Sequence, residues 1–143
     1  MSIDVRIKGN NGTRVEVTRS GELVVAPLAY SETHFDVLDT PNTAYSFFPP
    51  EKDKQFVITG FNMKADRDVS STVDASVIIY EASSVDTTTE DKILFQEAMV
   101  KGERTGYTNT NLLVNAGKWV NAKTTDDDIH MTIMGYYIDK LKK

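Results

Sequence analysis

Two histidines, His34 and His130, are the first candidates for acid–base or metal chemistry in this chain. His34 opens an apolar stretch beside Phe35. His130 alternates with Ile129, Met131 and Ile133, which assigns it to the strand face turned away from the core. Neither has a Ser in a recognisable nucleophile setting and nothing requires the two to meet, so each reads as a plain strand histidine. Carboxylates offer two other chemistries. Asp126-Asp127-Asp128, and Asp66 with Asp68, are acidic loops, and loop carboxylates bind Ca²⁺, a hard cation that takes roughly six to eight oxygens. EF-hand spacing is missing and Arg67 separates Asp66 from Asp68, so a solvated turn is the simpler reading. Glu81, at the end of an apolar run, and Glu97, inside another, are the carboxylates that burial could turn into a general acid. Trp119, Tyr136 and Tyr137 are the residues for a sugar-stacking platform, although sandwich cores take such residues routinely. Gly9-Asn10-Asn11-Gly12 is no phosphate loop, because no Gly-Lys-Ser/Thr follows it. No constellation amounts to an active site. The expectation is a non-enzyme without cofactor or metal.

The elements that position these residues are strands. The chain has 16 Thr, 14 Val and 9 Ile among 143 residues, and β-branched side chains fit a pleated surface better than a helix. Strands are expected over 33–38, 44–48, 55–64, 73–81, 109–114, 119–123 and 129–138. Turn clusters such as Asp39-Thr40-Pro41-Asn42 and Asn115-Ala116-Gly117 separate them. Residues 92–100 admit two readings. Ile93, Leu94, Phe95, Ala98 and Met99 could line a helix started at Thr89-Glu90-Asp91, while Ile93, Phe95 and Met99 alternate as in a strand. Strand is favoured because every neighbour is β. Eight strands suit a jelly-roll-like, two-sheet antiparallel sandwich, with an immunoglobulin-type sandwich as the rival. Val77, Ile79, Phe56, Ile58, Ile133 and Trp119 are the expected core.

Residues 1–28 read as an N-terminal β-arm ahead of a body at 29–143. Val5 and Ile7, Val15 and Val17, then Leu23 and Val24 form short apolar-faced strands between Gly/Asn and Ser-Gly turns. So small a meander cannot bury its own apolar face in water. These six residues are therefore the expected partner-binding set. The start, Met1 to Arg6, is charged and alternating rather than a signal peptide, so synthesis in the cytoplasm is expected. The formal charge is −5, with 16 Lys and Arg against 21 Asp and Glu, which argues against general nucleic-acid binding. No run approaches the ~20 apolar residues of a spanning helix, so no membrane partner is expected. With no cysteine, disulfides, thiolate nucleophiles and Cys-based zinc sites are excluded.

Several stretches together resemble a known group of proteins. They are Asn11–Thr18 with Gly21–Leu28, Phe56–Phe61 with Ala65–Val69, Val77–Ala82, and Gly117–Lys123. The pattern is similar to small virion proteins of tailed bacteriophages, of the head decoration or capsid cement type. That resemblance covers most of the chain and carries no diagnostic motif. It implies a jelly-roll body, a homotrimer, and a place on the capsid surface of the virion with the major capsid protein as partner. A tail or fibre component, or a carbohydrate-binding β-sandwich module, is the alternative.

Overall fold

The structure is a computed structural model that describes residues 31–66, 74–126 and 128–140. The expected arm, with Val5, Ile7, Val15, Val17, Leu23 and Val24, lies outside the described residues, as do Arg67, Asp68 and Asp127. The described residues form eight strands and no helix. The strands are β1 (Glu32–Leu38), β2 (Tyr45–Phe48), β3 (Lys54–Ala65), β4 (Ala75–Ala82), β5 (Lys92–Met99), β6 (Arg104–Leu113), β7 (Trp119–Thr124) and β8 (Ile129–Asp139).

They make two four-stranded antiparallel sheets, ordered β1-β8-β3-β6 and β2-β7-β4-β5. Each strand of the first half pairs with one of the second: β1 with β8, β2 with β7, β3 with β6, β4 with β5. A long antiparallel ribbon folded over itself in this way is the jelly roll, and its sheets pack face to face as a β-sandwich. The strand over 92–99 supplies the fourth member of the second sheet, so the tertiary argument for a strand there holds.

Burial follows position in the sheet. β8 alternates strictly, with Ile129, Met131 and Ile133 inward and His130, Thr132 and Met134 outward. The start of β3 is buried on both faces, which is why Gln55 to Ile58 shows no alternation. Ile58, Phe61, Ile79 and Ile133 are fully buried between the sheets. Each contributes about 1.5–3 kcal/mol relative to an exposed position. Phe48 stacks on Phe56 with centroids 4.1 Å apart, and Tyr137 meets Phe56 edge-on at 4.9 Å.

Two expectations need correction. Trp119 is not a core residue. It stands opposite Ala82, one residue out of phase with the inward pair Val120 and Glu81, and stays partly exposed. β6 starts at Arg104 rather than Asn109. Its first half, Arg104-Thr105-Gly106-Tyr107-Thr108, has too few apolar side chains to read as a strand, and pairing to β3 holds it in place.

The sheet edges are interrupted. β2 has four residues and slips register between Ser46 and Phe48. β5 is bulged opposite Ile79 and Tyr80. β6 kinks at Asn109, where φ is +57°, and Thr110 donates its hydroxyl to the Ile58 carbonyl at 2.8 Å. In β1 the Asp36 carboxylate accepts the Val37 N–H at 2.8 Å. Bulges, short edges and edge carboxylates all oppose strand-to-strand aggregation.

Candidate docking face

The outer faces of the two sheets differ. On the sheet β2-β7-β4-β5, the outward residues include Ile78, Tyr80, Asn121 and Lys123. The connection over 83–91 folds back across them. Tyr80 donates its hydroxyl to the Thr87 carbonyl at 2.8 Å, and the Asn121 amide donates to Ser84 O at 3.0 Å. Ser46 Oγ donates to Val85 O at 2.7 Å. Lys123 Nζ reaches Thr88 O and the Glu90 carboxylate, each at 2.6 Å, while lying 5.2 Å from the Tyr80 ring centroid. Tyr80 and Asn121 are fully buried as a result. Burial pushes the Tyr80 hydroxyl pKa up, and the Lys123 hydrogen bond holds the Glu90 carboxyl below its usual range. The connection thus covers Tyr80 and Asn121, while Ile93, opposite Tyr80 on the edge strand, stays half exposed.

The outer face of β1-β8-β3-β6 is open at one end. Residues directly opposite one another in an antiparallel pair share a face. Val37 stands opposite His130, His130 opposite Lys64, and Lys64 opposite Arg104. The register thus lines up three basic side chains across three strands. In the next row, Phe35, Thr132, Asn62 and Gly106 are matched in the same way. Phe35 is 56% exposed, and its ring meets the His130 ring edge-on at 5.9 Å. Gly106 leaves open space beside Asn62: a Cβ at position 106 would meet the Asn62 Cβ at 3.7 Å, an ordinary contact. The result is a groove of about 350 Å³ bordered by Phe35, Asn62, Lys64, Arg104, Thr105 and His130.

Asp66 tempers the charge at one end. Its carboxylate pairs with Lys64 and lies 3.6 Å from His130 Nε2, an attraction that is an ion pair only when the imidazole is protonated. The Asp66 amide donates to Asp128 O at 3.0 Å, so the two acidic loops noted in the sequence do meet at this end of the sheet. Arg104 is exposed and has no ion-pair partner among the described residues. The groove therefore offers one guanidinium without an ion-pair partner among the described residues, one shared ammonium and an exposed aromatic ring.

The remaining sequence candidates are scattered. His34 faces inward, 5.2 Å and edge-on from Phe47, on the opposite face of the sheet from His130. Glu81 is buried and tied to Asn115, whereas Glu97 lies toward the other end of the β4–β5 pair and accepts from Thr105 and Tyr107. The two do not form a catalytic pair. Tyr136 faces outward on one sheet, Tyr137 inward, and Trp119 belongs to the other sheet, so the three do not build one stacking platform. Among the described residues no cluster of three His, Asp or Glu is arranged to hold a metal ion. Sequence reasoning missed the basic row because Lys64, Arg104 and His130 meet only through register. Phe35 was visible only as a neighbour of His34.

No protein-family model matches the chain, and no curated protein matches it in sequence. One similar solved structure is a chain of the Bacillus endospore appendages, described as a family of disulfide-linked pili. It is 10% identical, with a TM-score of 0.48, over 79% of this chain and 89% of that one. At this level the likeness carries no functional weight.

Proposed function

We propose that the protein is a non-enzymatic virion protein of the head decoration type, which binds the outside of a capsid and stabilises the shell. The observation that carries the reading is the asymmetry of the sandwich. One outer face is partly covered by its own connection, and the other presents an exposed phenylalanine beside a row of basic side chains. A body built in this way has one open face to set on a partner. The phage-like sequence pattern points to the major capsid protein as that partner.

In this reading the N-terminal residues Val5, Ile7, Val15, Val17, Leu23 and Val24 form the second contact, an arm that packs on the shell or adds a strand to it. Strand addition uses main-chain hydrogen bonds for affinity and side-chain pockets for register. Many copies per particle add by avidity, so weak single contacts still reinforce a shell. A homotrimer on the local threefold positions of the shell is the assembly this role favours.

The experiment is co-sedimentation with undecorated heads, using the full chain and a variant lacking residues 1–26. The full chain should pellet with the heads and the truncated chain should bind more weakly. Equal binding would remove the arm from the clamp. No binding by the full chain would remove the decoration role.

A further inference from the structure

We infer that the groove on the open face is a recognition site for an extended acidic segment of a protein. One carboxylate of that segment sits on Arg104 and Lys64, and an apolar side chain four residues away sits on Phe35. The inference rests on the decoration reading only for whose segment this is; the chemistry stands on the groove itself.

Three observations select this ligand. The first is charge. Arg104 is exposed with no ion-pair partner among the described residues, and Lys64 stands directly opposite it on the same face. A guanidinium and an ammonium side by side suit a carboxylate, which the guanidinium can hold with two parallel hydrogen bonds. The second is the limit on that charge. Asp66 occupies the Lys64–His130 end of the row, and the whole chain carries −5. A polyphosphate or a nucleic acid would meet repulsion along most of its length, whereas a single carboxylate at the Arg104 end would not.

The third is spacing. Phe35 on β1 and Arg104 on β6 lie on the two edge strands of one sheet, three strand spacings apart and in adjacent rows two residues apart along the strands, or about 16 Å between their Cα positions. An extended peptide rises about 3.4 Å per residue and shows alternate side chains to one face, so residues i and i+4 are about 14 Å apart on that face, a difference of about 2 Å that the long Arg104 side chain spans. Between these ends lie Thr132 on β8 and Asn62 on β3, and Gly106, beside Arg104 on β6, leaves the Arg104 end of the groove free of a side chain in that row. Asn62 is exposed there and can donate and accept hydrogen bonds to the peptide main chain.

The test is a heteronuclear NMR titration of the full chain with the peptide acetyl-Glu-Ser-Thr-Ser-Phe-amide. Amide shifts should cluster at Phe35, Asn62, Lys64, Arg104 and His130, and fade in high salt. Replacing the peptide glutamate by glutamine should weaken binding about tenfold, as should Arg104→Gln in the protein. Gly106→Val keeps every charge but puts a branched side chain beside Arg104 and Asn62 at the carboxylate end, and it should abolish the shifts. Lys92→Gln, on the other sheet, should change nothing.

The inference is overturned if the peptide gives no clustered shifts at millimolar concentration. It is equally overturned if the glutamine peptide binds as well, if a peptide with Glu and Phe adjacent binds as well, or if Gly106→Val binds normally. Heparin producing the same shifts while the peptide does not would also overturn it. None of these results depends on heads, so failure here and failure to bind a capsid are separate outcomes.

Discussion

Gly135 lies directly against the ring of Phe56. A Cβ at position 135 would stand 2.6 Å from Phe56 Cε1 and 2.1 Å from the Val57 carbonyl oxygen. Neither neighbour can give way easily, because Phe56 is wedged between Phe48 and Tyr137 and the carbonyl belongs to the central strand β3. Gly135→Ala should therefore destabilise the fold by at least about 3 kcal/mol, the upper part of the range for overpacking a core. Urea unfolding followed by tryptophan fluorescence measures it. A loss under about 1 kcal/mol would mean that β3 and β8 have slack the packing does not show.

Glu81 should be a structural carboxylate. It is 1% exposed, accepts the Asn115 amide at 2.8 Å and the Asn115 side-chain amide at 3.1 Å, and lies 3.9 Å from Lys92. Removing it strands a backbone N–H at the β6–β7 turn. Glu81→Leu should cost about 2–4 kcal/mol, and Glu81→Gln, which keeps an acceptor, clearly less. Thermal unfolding of the two variants side by side gives the comparison.

Tyr137 makes stability fall at alkaline pH. Its hydroxyl donates to Pro49 O at 2.6 Å, and burial, with Glu32 and Glu51 adding repulsion, pushes its pKa up to about 12. The unfolded chain loses that proton near pH 10. The folded state thus holds the proton more tightly. The resulting stabilisation is fully present below pH 10 and is lost as pH rises toward 12. Tyr137→Phe should flatten the decline between those values in denaturant titrations run at each pH.

The connection over 83–91 should loosen in acid. The Glu90 carboxyl is held below its usual range by Lys123, so its contribution is present above the ordinary carboxylate pKa and disappears as pH falls through the folded value. Hydrogen exchange at pH 3 should show faster exchange across 83–91 than in β4, and Lys123→Ala should reproduce part of that at pH 7. Uniform exchange in both regions would show that the connection opens only with the whole sheet.

Much of the fold was legible because one face of most strands is wet. The alternation in Ile129–Ile138 and the apolar centre Val77–Tyr80 mark β8 and β4 without any knowledge of partners. The strand at 92–99 was legible only by consistency with its neighbours, since its apolar residues also fit a helix. Trp119 misled because size and aromaticity suggest a core, while its phase relative to Val120 decides its face. The groove was not legible at all. It depends on the register that sets Lys64 between His130 and Arg104, and on the kinked β6, whose polar, Gly-containing start gives no periodic signal. Local pattern encodes which face a residue takes, and long-range pairing encodes which residues share it.

The central claim is the place of the chain on a capsid. Electron cryomicroscopy of the assembled phage particle tests it most directly. The account predicts jelly-roll density on the outside of the shell at local threefold positions, with the Phe35–Arg104 face turned to the capsid and the 83–91 connection turned to solvent. Density confined to the tail, or a particle that lacks the chain, would contradict it.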